Sequence, residues 1–188
     1  MTIQALEEAK KCDKLYAEFY TAKLFGTTIE KLEEKVGKIE IVNREKVENG
    51  TWMVEEAKEQ KIGFLVVGDC MTATTHIDLK LDAEKAGVDV KVVFGTSIYT
   101  AAAGVSGLQI YKFGRSTSIT FPDEKFKVRS HYDVIKQNKK QGLHTLCLLD
   151  IKPPKFMTAN EAMEVLLDVE SEFKEKVFTE DTKIIVVA

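Results

Sequence analysis

The sequence predicts an α/β fold built on parallel sheet, and three observations carry that expectation. Ile62–Val67 and Val88–Phe94 are apolar runs too short for helices and too uniformly apolar for half-exposed strands, which is how strands covered on both faces read. Each run stops abruptly at small residues, Gly68-Asp69-Cys70-Met71-Thr72 and Gly95-Thr96-Ser97. Helical patterns separate the runs, as crossover connections require. In such sheets ligands bind beyond the carboxyl ends of the strands, so these two loops are expected to line one cleft. Gly68 lets the backbone approach a ligand and Asp69 adds an acceptor, although Gly-Asp after a strand is also ordinary turn chemistry.

The elements follow in order. Leu6, Ala9, Lys10 and Asp13 begin an amphipathic helix, and Leu15–Tyr20 alternates as a strand does. Thr27-Thr28-Ile29-Glu30 resembles a capping box and opens a helix that Gly37 closes. Ile39–Val42 is a short strand and Thr51–Gln60 a helix holding the single tryptophan, Trp52. After the loop that follows Val67, the helix carrying Ile77, Leu79, Leu81, Ala83 and Ala86 ends at Gly87. Ser97 is expected to cap a helix over Ile98–Gly104.

Gly104, Gly107 and Gly114 punctuate the next stretch, and the pattern changes near Gly114-Arg115. Two α/β domains are therefore expected, residues 1–114 and 115–188. The second has a strand at Thr117–Phe121 and a helix from Ser130 to Gln141 that opens on a capping-box variant, Ser130-His131-Tyr132-Asp133. A strongly apolar strand follows at Leu143–Ile151. Pro153-Pro154 breaks the chain, and Thr158-Ala159-Asn160-Glu161 caps a helix running through Val169. Lys183–Ala188 reads as a buried strand. The chain opens inside a helix and stops on a core strand, so it is expected to be cut at both ends relative to a whole α/β protein.

Composition narrows the function classes. The chain has 188 residues, 44% of them hydrophobic, and a formal net charge of −3 with both signs mixed along its length. A nucleic-acid or membrane-surface protein would carry a basic excess or stripe. No run reaches the ~18 apolar residues of a membrane span. Met1–Glu8 is helical and acidic, unlike a signal peptide. Cys12, Cys70 and Cys147 are scattered and form no CxxC pair, which fits reduced thiols in the cytoplasm and no metal site. No paired metal ligands, nucleophile triad, Walker loop or GxGxxG is present. His76 is expected to pack at a helix start, His131 to be exposed and His144 to be a core imidazole with its hydrogen bonds made. Lys125-Phe126-Lys127-Val128-Arg129 and Lys136–Lys140 read as solvated faces, or less simply as a docking patch for an acidic or phosphate-bearing partner.

Several longer blocks are more specific. Phe64–Asp69 with Ala73-Thr74-Thr75-His76, Ser97-Ile98 with Gly107–Gly114, Gly142–Ile151 and Met157–Ala162 resemble, in order and spacing, the diphthine synthases. These belong to the tetrapyrrole-methylase-like methyltransferases. The resemblance implies two α/β domains, a cytoplasmic homodimer, and S-adenosylmethionine bound between the domains, leaving as S-adenosylhomocysteine. It implies methyl transfer to the amino group of a modified histidine on translation elongation factor 2, during diphthamide biosynthesis. Carried over residue by residue, cofactor contacts are expected at Asp69, Thr72, Ser97, Ile98, Leu148 and Ala188. No catalytic side chain and no metal are implied. This chain has Cys70 where the family has proline, and the family's first strand, its Gly-Leu-Gly-Leu loop and the rest of its second domain are expected outside residues 1–188. Two other readings stand beside this one: a methyltransferase acting on a porphyrin or corrin ring, and a non-catalytic module that binds S-adenosylmethionine or docks to elongation factor 2.

Overall fold

A computed structural model describes residues 1–122 and 128–187. Lys125, Phe126 and Lys127 of the expected basic patch, and Ala188 of the expected cofactor set, lie outside the described residues. The chain forms two compact units, Met1–Ile98 and Tyr99–Ala188, and Gly114–Arg115 falls within the second.

The first unit is organised around β1 (Lys14–Ala17), the middle strand of a parallel sheet ordered β2 (Ile39–Ile41), β1, β3 (Ile62–Leu65). Leu15 and Ala17 face one way, packing with Ala9 of α1 (Ile3–Ala9) and with Leu32 and Val36 of α2 (Ile29–Val36). Tyr16 faces the other way, against Val47 of α3 (Arg44–Glu48) and Met53 of α4 (Thr51–Glu56). Helices thus cover both faces of β1. The alternation read over Leu15–Tyr20 does not carry through, because Glu18 is wholly buried as well. Local signals set most helix ends. Thr2, Thr28 and Asn43 each accept a main-chain N–H of the first turn, and Gly37 ends α2 at φ 92°. The sequence reading overlooked α3, which Asn43 caps.

Two expectations about strands need correction. β3 is half-buried along its length, because its second edge has no strand beside it. Residues 88–94 run without pairing into any ladder, and Phe94 is exposed. Between these two segments lies a cavity of about 1440 Å³. Helix α5 (His76–Lys85) connects them, with Ala83 inward and Ile77 and Leu81 exposed.

In the second unit β4 (Thr117–Ile119) pairs in parallel with β5 (Cys147–Leu149), extended by a bridge between Phe113 and His144. Helix α6 (Ile98–Val105) leads in from the last residue of the first unit. Helices α7 (Ser130–Lys140) and α8 (Ala159–Phe173) supply half of the core: Ile119, Met157, Ala162, Leu166 and Phe178 form one cluster, Tyr132, Val169 and Val177 another. A short hairpin, β6 (Ile151–Lys152) and β7 (Lys155–Phe156), turns through Pro153 and Pro154. The capping box forms as expected: Thr158 Oγ1 accepts from Glu161 N, and Glu161 Oε2 accepts from Thr158 N. The cap expected at Ser130 does not form. Arg129 precedes α7 without a side-chain cap, and Asp133 pairs with Arg129 Nε at 3.0 Å.

Three further expectations fail for tertiary reasons. His131 is buried, with neither ring nitrogen bonded among the described residues, and burial pushes its pKa down. His144 is exposed, its ring 5.5 Å from that of Phe113. Ile184–Val187 is extended but exposed, because no described strand pairs with it.

Candidate functional site

The carboxyl ends of β3 and of residues 88–94 meet through main chain. A Cβ placed on Gly95 would lie 1.8 Å from the carbonyl oxygen of Gly68, so only glycine permits this approach. Gly68 itself has φ 86°, a left-handed conformation that turns the chain out of the strand. The next residues hold one another. Asp69 Oδ1 accepts from Met71 N at 2.9 Å and from the Thr72 hydroxyl at 3.0 Å. Thr74 Oγ1 donates to Cys70 O at 2.8 Å, and Ala73 takes a left-handed φ of 58°. Ser97 Oγ stands 3.5 Å from Thr72 Oγ1, tying the second loop to the first.

Three of the six expected residues, Asp69, Thr72 and Ser97, are therefore neighbours in one small polar corner. Ile98 follows at the start of α6 with 44% of its surface exposed. Leu148 belongs to the second unit, half-buried on β5 and paired with Ser118 of β4. Ala188 lies outside the described residues. The Cys70 thiol is directed to Val93 O at 3.7 Å. Burial and then the neighbouring Asp69 push its pKa up.

Beneath this corner lies a feature the sequence reading missed. Glu18, just past the end of β1, is wholly buried, and its carboxylate accepts from the main-chain N–H groups of Tyr20 and Thr21, from the Thr21 hydroxyl and from His76 Nε2. Burial would raise its pKa, but these bonds outweigh burial and hold it below the usual carboxylate range. His76 is the first residue of α5 and packs edge-on against Phe64 of β3. The bond thus fixes the start of α5, and with it the far end of the Gly68–Thr75 loop, to the sheet.

The corner suits a cofactor held largely by backbone. Among the described residues, no backbone-to-backbone hydrogen bond engages the main chain of Gly95 and Thr96. Among the described residues, no group of three or more acidic, histidine or cysteine residues is placed to hold a metal. A parallel sheet with main-chain-lined loops at its carboxyl end defines an α/β enzyme of the kind that binds a nucleotide-like cofactor. The chain belongs to the tetrapyrrole (corrin/porphyrin) methylase family, whose model matches residues 1–188, and so to methyltransferases that use S-adenosylmethionine.

Its relatives place it among the diphthine synthases. It is 53% identical to the diphthine synthase of Methanocaldococcus jannaschii, over 100% of this chain and 75% of that protein. It is 54% identical to that of Methanococcus vannielii, with the same shares covered. A crystal structure of a diphthine synthase superposes with a TM-score of 0.84 at 36% identity, covering 93% of this chain and 68% of the other. No helix among the described residues is long and apolar enough to cross a membrane.

Proposed function

We propose that the protein methylates the amino group of the modified histidine of translation elongation factor 2, a step of diphthamide biosynthesis. The observation that carries this reading is the corner formed by Gly68–Thr72 and Gly95–Ser97, in a chain 53% identical to a diphthine synthase. Asp69, Thr72, Ser97, Ile98 and Leu148 would hold S-adenosylmethionine. Ala188 completes the proposed set from the resemblance alone. In the same reading the two functional domains divide at Gly114–Arg115, just before β4 begins the second sheet.

The bound cofactor supplies an electrophilic methyl group on a sulfonium. The chain's part is to align donor and amine and to keep water out; such alignment supplies roughly 7–11 kcal/mol of a barrier. Asp69, with Oδ1 committed to Met71 and Thr72, holds the loop in shape and leaves Oδ2 for the cofactor's polar end. Gly95, pressed on Gly68, sets the distance between the loops. The attacking amine must be neutral, so the rate should rise with pH until the amine is deprotonated.

The resemblance supports a homodimer working in the cytoplasm, and the exposed apolar side chains Val105, Ile110 and Tyr111 give the second unit surface to cover. Light scattering on the purified protein tests the dimer. The activity is tested by methyl transfer from labelled S-adenosylmethionine to elongation factor 2 carrying the unmethylated intermediate, with a porphyrin precursor offered in parallel. Label on the elongation factor supports the reading. Label on the porphyrin alone would give the family's other substrate class, and label on neither would leave a binding module.

A further inference from the structure

We propose that the first unit carries a second site, a cavity between α3, α4 and α5 that takes a short alkylammonium ion. The cavity measures about 220 Å³ and is bounded by the end of α3, the start of α4 and the first two turns of α5. Gly50 draws α4 close to α5: a Cβ there would lie 2.7 Å from Leu79 Cδ1 and 3.0 Å from Val47 O. Val47 and Leu79 form the apolar part of the lining, and Glu48, Asp78 and Asp82 the acidic part. Among the described residues, no lysine or arginine lines it. Of its lining residues only His76 and Leu79 also border the larger cavity beside β3, so it is separate from that one and from the Gly68–Gly95 corner.

Two independent observations give the ligand's chemistry. The first is charge. The three carboxylates supply about three negative charges, against about one positive charge from the amino ends of α4 and α5 together. Arg44, 3.9 Å from Glu48, and Lys85, 3.0 Å from Asp82, form exposed pairs that water and salt weaken. Asp78 has no ion pair among the described residues. The second is an orphaned atom. His76 is 5% exposed, its Nε2 donates to Glu18, and its Nδ1 is buried without a partner. In the neutral ring Nδ1 is then an acceptor, and a buried acceptor calls for a donor.

A water molecule would satisfy Nδ1 but leave the acids uncompensated, and an anion would be repelled. A bare metal ion fits poorly, because no three acidic, histidine or cysteine residues among those described are placed to hold one. An ammonium group on an alkyl stem meets every need. It donates to Nδ1, stands among the carboxylates and lays its methylenes on Val47 and Leu79. At ~30 Å³ for each water-sized group, the cavity has room for about seven, which a four-carbon diamine or a lysine side chain fills. The inference holds whichever methyl acceptor is used.

The test titrates the 188-residue protein by calorimetry with 1,4-diaminobutane, with Nα-acetyl-lysine methylamide and with uncharged 1-butanol. A cation should bind, more weakly as salt is raised, and butanol should not. Tighter binding of the diamine gives the site to a free amine, and tighter binding of the lysine derivative to a side chain of another protein; either supports the alkylammonium reading. Asp78→Asn combined with Asp82→Asn should weaken the better cation roughly tenfold, and Glu48→Gln on the facing wall should weaken it too. All three positions are exposed, so melting curves should match the wild type. In histidine ¹⁵N spectra the Nδ1 resonance of His76 should move when the cation is added, while those of His131 and His144 stay in place. No binding of either cation, equal binding of butanol, unchanged affinity in these variants or an unmoved His76 resonance would each overturn the proposal.

Discussion

His76 Nε2 stands 3.3 Å from Glu18 Oε1, and both side chains are almost wholly buried. The pair joins the carboxyl end of the central strand to the start of the helix that follows the Gly68–Thr75 loop. It is a structural clamp behind the site, and its strength bears on how well the loop is held.

Glu18→Gln should lower stability by about 2 kcal/mol at neutral pH, because a buried charge-assisted acceptor is replaced by a neutral one. The folded-state pKa of Glu18 is lowered, so its contribution is fully present above the ordinary carboxylate value. It is lost as pH falls through the lowered one. Urea midpoints should therefore differ between wild type and variant at pH 7 and converge in acid. A constant difference down to pH 2 would contradict the assignment.

Glu170 should behave alike in the second unit. Its carboxylate accepts from the Tyr132 hydroxyl at 2.8 Å and from the main-chain N–H groups of Lys176, Val177 and Phe178 at 2.6, 2.7 and 3.1 Å. Burial pushes its pKa up, but these bonds prevail and bring it down to about 2. Its stabilisation is present above the unfolded value of 4.5 and fades as pH drops toward about 2. Glu170→Gln should speed amide exchange at 176–178 at neutral pH, and this difference should shrink toward pH 2.

Asp69→Ala should weaken S-adenosylhomocysteine binding by roughly tenfold, about 1.4 kcal/mol. Asp69→Asn keeps the acceptor Oδ1 for Met71 and Thr72 and should retain the loop's shape. Titration calorimetry on the three proteins decides it, and equal affinities would remove Asp69 from the site.

Gly95→Ala puts a methyl group on top of the Gly68 carbonyl, so the two loops must part. The expected cost is about 1–3 kcal/mol of stability, with cofactor binding lost beyond what Asp69→Ala removes. Ala at Gly104, where nothing lies within 4 Å of an added Cβ, is the control and should leave binding unchanged.

Burial pushes the Cys147 thiol up to about 11, and Cys12 and Cys70 are raised as well. At pH 8 in the native protein, Cys147 should be alkylated by iodoacetamide at least about tenfold more slowly than in urea, followed by mass spectrometry of the peptides.

What was legible in the sequence was what neighbouring residues decide among themselves. Thr158 and Glu161 announce their capping box because both partners lie within one turn, and Gly37 ends α2 through its own φ. The turn at Gly68 could be read because a strand run and a loop composition abut there. The misses all turn on distant partners. Nothing beside Glu18 marks it as buried, since its partner His76 comes from 58 positions away. Asp133 answers Arg129 in place of Ser130, and Asn138, the partner that crowds Gly114, also bonds Arg115 and Thr145. Residues 88–94 and 183–187 have strand-like composition, yet pairing depends on what lies beside them, which no local pattern records.

The contact between Gly68 and Gly95 has a consequence for anyone redesigning this enzyme. With no side chain between them, the two backbones act as a single hinge pin: moving either loop moves the other. Libraries that diversify the pocket should leave both positions untouched and explore Met71 and Thr96, where change alters the pocket's lining without springing its frame.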